Sequence, residues 1–168
     1  MNNIVFIYGV PGSGKTYISH KMSGNLSLPL FEADTLKEGL RKVTTKEESP
    51  FLFLGTSQAY RHFGEFNKDN VIKGLKAVRR ALAESVAEEV KNHNEVIMEG
   101  AFLDPNLLKD LGKLILVITS NEEQHRKQFF QHREESEDNI SEFEAARIIQ
   151  DFLIDEAKGL NVEIKENE

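Results

Sequence analysis

The sequence contains no cysteine, no tryptophan and only 4 prolines among its 168 residues. Without cysteine, the chain has no disulfide, no thiolate metal site and no cysteine nucleophile. No apolar run approaches the roughly 18 residues of a membrane span, and the start Met1-Asn2-Asn3 lacks the basic region of a secretory leader. We therefore expect a cytoplasmic protein that has no membrane partner.

Positive charge is scarce as well. Lysine and arginine number 21 against 28 aspartates and glutamates, for a formal net charge of -7. This balance disfavours non-specific binding to nucleic acid, so we expect no nucleic-acid partner, and an anionic ligand would need a local basic cluster. The 39% hydrophobic content is that of a folded globular protein. The length fits a single domain over residues 1–168, and the sequence does not indicate an oligomeric state.

Short apolar runs alternate with amphipathic segments along the chain. This alternation predicts a parallel sheet of about five strands with helices on both faces, joined by right-handed crossovers. Capping boxes are predicted at 35–38 and 120–123, and an acidic break at 134–138. The predicted strands are 4–8, 28–31, 96–98, 114–118 and 162–164, and the predicted helices are 15–22, 35–43, 67–92, 122–133 and 143–158.

A glycine-rich loop joins the first predicted strand to the first helix. Glycines let successive backbone N–H groups turn toward phosphate oxygens, and the helix that follows directs its positive end at the same anion. Lys15 would bind the β- and γ-phosphates, and the Thr16 hydroxyl would bind magnesium. The loop therefore predicts ATP and Mg²⁺ as cofactors, bound by Gly9, Pro11, Gly12, Ser13, Gly14, Lys15 and Thr16.

Such phosphate-binding loops occur in kinases, GTPases and motor ATPases, so the loop alone does not choose a reaction. A guanine-specific switch needs an Asn-Lys-x-Asp motif, and the nearest approach, Asn67-Lys68-Asp69-Asn70, ends in the wrong residue. A small-molecule kinase is the interpretation that we favour. A nucleotide kinase or nucleic-acid-end kinase, and a regulatory protein that binds ATP without transferring phosphate, remain as alternatives.

Several polar residues follow predicted strands, where ligands of parallel sheets bind. Gly9, Asp34, Glu99 and the pair Thr119-Ser120 are expected to converge on one crevice. Asp34 is a candidate general base, although it could merely cap a helix. Glu99 is a candidate ligand of magnesium water or of a substrate hydroxyl, and the sequence leaves open which of the two carboxylates is the base.

Basic residues form two groups. Lys37 and Arg41 lie four apart on one helix face, where they could bind an anionic substrate group. The second group, on the helix predicted from residue 122, would form an arginine-bearing lid over about 122–142 or simply a solvated face. It consists of His125, Arg126, Lys127, His132 and Arg133, and we assign no metal to its histidines.

These residues resemble the kinase domain of archaeal 2-phosphoglycerate kinases. Val96-Ile97-Met98-Glu99-Gly100 is similar to that family's Val-Ile-Glu-Gly strand end, and the block around His125 and Arg126 is similar to its His-Arg-x-x-Phe lid helix. One departure is Phe102, which stands where the family has histidine. The resembling blocks are 32–41, 56–60, 96–100, 123–130 and 147–153.

The resemblance implies transfer of the ATP γ-phosphoryl group to 2-phosphoglycerate. By position, Asp34 would face this acceptor, Arg41 would bind an anionic group, and Arg126 and Arg133 would bind the transferring phosphates, as catalytic residues beside Lys15. The glycine-rich loop, the predicted strands and helices, and the resemblance together predict an α/β P-loop NTPase fold, with a sheet like that of nucleoside monophosphate kinases and a short lid. The expected partner is a small-molecule phosphoryl acceptor.

Overall fold

A computed structural model describes residues 2–168 and contains one sheet of five parallel strands. The strands are β1 Asn3–Tyr8, β2 Leu30–Glu32, β3 Glu95–Glu99, β4 Lys113–Ile118 and β5 Glu163–Glu166. Their order in the sheet is β2-β3-β1-β4-β5, and the parallel five-stranded prediction is confirmed. The central strand β1 pairs with β3 through Ile4 opposite Val96, and with β4 through Phe6 opposite Leu114.

Helices cover both faces of this sheet, because side chains alternate along each buried strand. The helices are α1 Lys15–Leu26, α2 Asp34–Arg41, α3 Lys68–Val90, α4 Pro105–Leu108, α5 Glu122–Phe130 and α6 Glu137–Leu160, with single 3₁₀ turns at Pro50–Leu52 and Ala59–His62. Ile4 and Phe6 join a core formed with α3 and α6, whereas Val5 and Ile7 join a smaller core formed with α1. Within residues 2–168 no helix combines the length and apolar character needed to cross a membrane.

The long helix α3 was predicted from its apolar stripe, and the structure confirms it. The Asn67 side chain caps its start by accepting a hydrogen bond from the N–H of Asn70 at 2.8 Å. Burial of each large apolar side chain in the stripe contributes about 1.5–3 kcal/mol. The buried stripe consists of Val71, Leu75, Val78, Leu82, Val86 and Val90.

The start of α6 differs from the prediction. The sequence predicts an acidic break at 134–138 and a helix beginning near Phe143, but α6 begins at Glu137. Ser136 caps the helix by accepting a hydrogen bond from the N–H of Asn139 at 3.2 Å. Glu137 and Asp138 lie in the first turn, where negative charge stabilises the positive end of a helix. The predicted break is therefore too long, because its last two residues form the first turn of α6.

Both predicted capping boxes are wrong as well. Helix α2 follows Ala33 with no side-chain cap, because the Thr35 hydroxyl already lies within the helix and donates to the carbonyl oxygen of Glu32 at 2.8 Å. At α5 the cap is Asn121, one residue later than predicted, and it accepts a hydrogen bond from the N–H of Gln124. Ser120 instead donates its hydroxyl hydrogen to Glu166 at 2.6 Å.

A buried ion cluster ties the helical layer together. Arg79 of α3 is 4% exposed and donates two hydrogen bonds to Glu156 of α6, at 2.9 and 3.0 Å. Asp104, just before α4, lies 3.8 Å from the same guanidinium group. Because the buried Arg79 charge lies beside these two partly exposed carboxylates, its desolvation cost is offset by attraction to them. The cluster fixes α3, α4 and α6 relative to one another.

Candidate active site

A cavity of about 470 Å³ opens at the carboxyl edge of the sheet, where the ligands of parallel sheets bind. Its wall is formed by the glycine-rich loop, α2, the 50–62 segment, the turn after β3, and Arg133, which lies three residues after the end of α5. Five of the predicted site residues in this wall carry a charge: Lys15, Asp34, Lys37, Arg41 and Arg133. The other wall residues are Pro11, Gly12, Thr16, Glu38, Gly55, Thr56, Gln58, Ala101 and Phe102.

A second cavity of about 500 Å³ lies on the other side of the same loop. It shares Gly12, Lys15, Thr16 and Arg133 with the first cavity. The two cavities therefore meet at the loop and at one arginine. The remaining wall of the second cavity is formed by Gly14, Tyr17, Gln128, Gln131, His132 and Asn167.

The glycine-rich loop has the conformation that phosphate binding requires. Gly12 and Gly14 have φ values of 78° and 90°, in the left-handed region that other residues rarely adopt. Gly14 is the N-cap of α1, so the free N–H groups of that helix begin directly at Lys15 and Thr16. The loop and helix together form an anion site at the junction of the two cavities.

Charges of both signs surround Lys15. Its ammonium group is half-buried and donates to the carbonyl oxygen of Val10 at 3.3 Å. Burial lowers the pKa of Lys15, Arg133 lowers it further, and the carboxylates of Glu99 and Asp34 oppose the decrease. These four groups therefore lie within electrostatic reach of one another, which agrees with the predicted convergence of Asp34 and Glu99.

Glu99 and Asp34 differ in their exposure. Glu99 is 8% exposed, and burial raises the pKa of its carboxyl group, with Lys15 acting in the opposite direction. Asp34 is exposed and forms part of the wall of the first cavity, whereas Glu99 does not. Of these two carboxylates, Asp34 is therefore the one that can touch a ligand in that cavity. Glu99 lies deeper, at the end of β3.

The two predicted anion-binding residues of α2 are held by the 50–62 segment. Lys37 donates to the carbonyl oxygen of Leu54 at 2.6 Å, and the Arg41 guanidinium donates to that of Leu52. Burial lowers the pKa of Lys37 to about 8, and the neighbouring positive charge of Arg41 contributes. The Lys37 ammonium group lies 5.8 Å from the centre of the Phe102 ring. Two cations thus line one end of the cavity.

The two predicted lid arginines occupy different places. Arg133 lies in the wall of both cavities, and its guanidinium group donates to the carbonyl oxygen of Phe129 at 2.8 Å. Arg126 lines neither cavity. It pairs with Glu135 at 3.5 Å and lies 4.9 Å from the centre of the Phe130 ring. The structure therefore brings Arg133, and not Arg126, to the charged groups of the site.

The pair Thr119-Ser120 was expected in the same crevice, but neither residue lines the first cavity. Thr119 is buried behind the glycine-rich loop. Its hydroxyl donates to the carbonyl oxygen of Ser13 at 2.9 Å, and its N–H donates to the Gln150 side chain. Ser120 is bound to Glu166. Thr119 therefore supports the loop from behind.

The 50–62 segment contributes polar residues to the cavity wall that were not among the predicted site residues. Gln58 accepts a hydrogen bond from the N–H of Gly55 at 2.8 Å and donates to the buried carboxylate of Glu142 at 3.1 Å. Thr56 is buried beside it. The only signal for these residues was the resembling block at 56–60, because irregular segments have no periodic pattern.

The fold is that of P-loop kinases. A solved shikimate kinase from Acinetobacter baumannii in complex with shikimate matches with a TM-score of 0.56 at 16% identity, covering 100% of this chain and 83% of that one. A deoxyadenosine kinase from M. mycoides with bound dATP matches with a TM-score of 0.52 at 15% identity, covering 98% and 90%. No protein-family model matches the chain.

In sequence, the chain is related to archaeal 2-phosphoglycerate kinases. It is 26% identical to the 2-phosphoglycerate kinase of Methanocaldococcus jannaschii over an alignment 179 positions long, gaps included, which covers 98% of this chain and 58% of the relative. The enzyme of Pyrococcus horikoshii is 25% identical, with 98% and 59% covered. A mevalonate-3-phosphate 5-kinase of Thermoplasma acidophilum is 24% identical, with 96% and 86% covered. The chain thus spans less than two thirds of the 2-phosphoglycerate kinases, and these relatives are small-molecule kinases.

Proposed function

We propose that the chain is a single kinase domain that transfers the γ-phosphoryl group of ATP to a hydroxyl group of a small anionic metabolite. The observation that supports this proposal best is the meeting of two cavities at Lys15, Thr16 and Arg133. Phosphoryl transfer needs a donor and an acceptor in line, with cations at the point of transfer. One cavity would take ATP and the other the acceptor.

The P-loop would bind the triphosphate through its backbone N–H groups and the Lys15 ammonium group. Lys15 lies in the wall of both cavities, so its ammonium group would reach the β- and γ-phosphates at the junction between them. Arg133 would stabilise the negative charge on the transferring phosphoryl group, since it lines both cavities. Arg126 would act only through its packing on Phe130.

Magnesium fits the residues that are present. Within residues 2–168 no three acidic or histidine side chains form a cluster able to bind a metal alone. Magnesium in kinases is commonly bound by one or two protein oxygens together with phosphates and water. The exposed Thr16 hydroxyl would supply one protein oxygen, and Glu99 would orient a magnesium-bound water. The ion would neutralise charge on the phosphate oxygens when bound.

Asp34 is the residue that we propose as the general base. It lines the acceptor cavity together with Lys37, which is three residues later on α2, so an acceptor anchored by Lys37 would place a hydroxyl near the carboxylate. Glu99 is less suited because it is nearly buried. Replacement of Asp34 by asparagine should lower kcat by about 10²-fold or more while ATP binding is retained.

The acceptor should be anionic, since Lys37 and Arg41 line its cavity. The relatives are named for 2-phosphoglycerate and mevalonate 3-phosphate, which are both phosphate esters. We propose 2-phosphoglycerate as the first acceptor to test. Phe102, which is buried and forms part of this wall, gives the cavity an apolar surface beside Lys37. A related acceptor with more apolar surface than 2-phosphoglycerate would also fit.

The proposal is tested by ADP release from Mg-ATP against a panel of acceptors. The panel contains 2-phosphoglycerate, 3-phosphoglycerate, glycerate, mevalonate 3-phosphate, a nucleoside monophosphate and an RNA with a 5′-hydroxyl end. The Lys15→Ala variant is the blank, and Lys127→Ala, at an exposed position outside both cavities, is the matched control. Acceleration by one anionic metabolite supports the proposal. ATP binding with no acceleration by any compound would favour a regulatory protein instead.

A further inference from the structure

The P-loop is the glycine-rich loop of residues 9–16. Three of its successive carbonyl groups each accept a hydrogen bond from a side chain outside the loop. The carbonyl oxygen of Pro11 lies 2.9 Å from the His125 Nε2 atom, and that of Gly12 accepts from the Gln128 amide at 2.6 Å. The carbonyl oxygen of Ser13 accepts from the Thr119 hydroxyl at 2.9 Å. His125 and Gln128 belong to α5, and Thr119 ends β4. None of these contacts was expected from the sequence.

These hydrogen bonds fix the orientation of the loop's peptide units. In a trans peptide the C=O group of one residue and the N–H group of the next point in opposite directions. Because the carbonyls of Pro11, Gly12 and Ser13 are bound by α5 and by the residue after β4, the N–H groups that follow them point away from these partners. The Ser13 N–H donates to the carbonyl oxygen of Val10 at 3.1 Å, so the N–H groups of Gly12 and Gly14 are the ones that would contact phosphate oxygens, and their directions are set before the ligand arrives.

The partners of His125 determine which ring nitrogen bears the proton. Pro11 offers only a carbonyl oxygen to Nε2, while the Arg147 guanidinium, which can only donate, lies 3.3 Å from Nδ1. The ring is therefore neutral with its hydrogen on Nε2. Burial lowers the pKa of His125; the Pro11 hydrogen bond and Glu122 oppose this decrease, and the charges of Arg147 and Lys15 add to it. The ring thus stays a single donor to Pro11 at neutral pH.

The same helix connects the loop to Arg133. The Phe129 backbone packs against Gly12 so closely that a Cβ atom on Gly12 would lie 2.8 Å from the Phe129 Cα atom. Phe129 is fully buried, and its carbonyl oxygen and its ring both contact the Arg133 guanidinium group, at 2.8 Å and 4.2 Å. Contacts therefore run without a gap from Gly12 through Phe129 to Arg133. The first part of the predicted lid is packed on the P-loop.

We propose that His125, Gln128 and Thr119 are positioning residues that hold the P-loop in its phosphate-binding conformation and tie it, through Phe129, to Arg133. This inference rests on the proposed nucleotide binding but not on the identity of the acceptor. It also assigns a role to the His-Arg-x-x-Phe pattern. In this chain its histidine and phenylalanine support the P-loop, whereas its arginine, Arg126, packs outside the cavities.

The test is the affinity of purified variants for Mg-ATP and for adenosine, measured by calorimetry and by competition. His125→Phe keeps an aromatic ring beside Phe143, whose ring centre is 5.0 Å away, but removes the donor to Pro11. His125→Gln restores an N–H group near the Nε2 position. Lys127→Ala, on the exposed side of α5, is the control. A lost hydrogen bond that leaves a buried carbonyl unpaired should weaken ATP binding about tenfold.

The expected result is a Kd for ATP about tenfold higher in His125→Phe, an unchanged Kd for adenosine, and recovery in His125→Gln. Unchanged ATP affinity in a folded His125→Phe protein would overturn the inference, as would an equal loss of ATP and adenosine binding, since that pattern reports general damage. Wild-type protein that binds no ATP would overturn the proposed function as well.

If His125→Phe does not fold, Thr119→Val is measured in the same way. It preserves side-chain shape while it removes the donor to Ser13 and the hydroxyl that accepts from Gln128 at 3.1 Å, so two of the three positioning contacts are weakened together. Thr119 lines neither cavity. A several-fold loss of ATP affinity with unchanged adenosine affinity supports the inference, and no change contradicts it.

Discussion

Replacing Gly74 with alanine should separate α3 from the 50–62 segment and so disturb one wall of the acceptor cavity. Gly74 lies within α3 and faces the 3₁₀ turn at Ala59–His62. A Cβ atom there would lie 2.6 Å from the backbone nitrogen of Tyr60 and 2.8 Å from the carbonyl carbon of Ala59. Because both atoms are backbone, the contact cannot be relieved by a rotamer change.

The size of the effect follows from the distance. The contact must open from 2.6 Å to at least the 3.4 Å of ordinary van der Waals contact, which moves the turn by most of an ångström. Overpacking of this kind costs about 1–3 kcal/mol. A displacement near 1 Å in a substrate-positioning segment can lower activity by about 10²-fold. We expect loss of acceptor binding at the Thr56 and Gln58 wall, with ATP affinity nearly unchanged.

Gly24→Ala is the matched control, because Gly24 also lies within a helix and a Cβ atom there would meet nothing within 4 Å. Glycine-to-alanine replacement in a helix stabilises by about 0.5–1 kcal/mol, and this gain applies to both variants. Urea unfolding should therefore show Gly74→Ala to be less stable than Gly24→Ala by about 1–3 kcal/mol. Equal stability and equal acceptor KM in the two variants would refute the packing argument.

Three other outcomes are expected. The pKa of Lys37 is lowered to about 8, so the side chain loses its positive charge as the pH rises through 8. The KM for the acceptor should therefore rise between pH 7 and pH 9 in the wild type, whereas it should stay constant over this range in Lys37→Arg. Arg79→Ala leaves Glu156, whose side chain is 12% exposed, without its charged partner and should cost about 3 kcal/mol in thermal unfolding, the lower end of the range for a broken buried pair. Lys91→Ala, which breaks an exposed pair, should cost less than about 1 kcal/mol. Gly12→Ala should abolish ATP binding in calorimetry, because alanine would have to adopt φ near 78° against Phe129.

The sheet and the P-loop were predictable because their physical signals are local. Buried parallel strands appear as continuous apolar runs, and the loop needs glycine, lysine and threonine at fixed spacing. The apolar stripe of α3 was equally clear, since its period of 3.6 residues persists over 23 residues.

Helix starts were less predictable, because a few polar residues allow more than one cap. Ser136 caps the start of α6 and Asn121 caps the start of α5, yet each has neighbouring residues whose side chains are also of a type that caps helices. The backbone chooses among them according to what else each side chain can bind. Ser120, for example, is already bound to Glu166 from β5.

The candidate site was only partly predictable. Asp34, Lys37 and Arg41 follow a strand or share a helix face, so position alone pointed to them. Arg126 and Arg133 are seven apart on a basic segment, and only the packing of α5 on the P-loop shows that Arg133 reaches the cavities. The support given to the loop by His125 could not be foreseen, because it depends on a contact between residues 114 positions apart.

The most direct measurement of the central claim is ³¹P NMR of the protein with Mg-ATP and the acceptor that accelerates ADP release. Transfer predicts one new phosphate ester signal that grows in step with ADP, and its loss in Asp34→Asn and Lys15→Ala. A signal of inorganic phosphate growing in step with ADP, with no new ester, would contradict the kinase proposal and show that the site hydrolyses ATP instead.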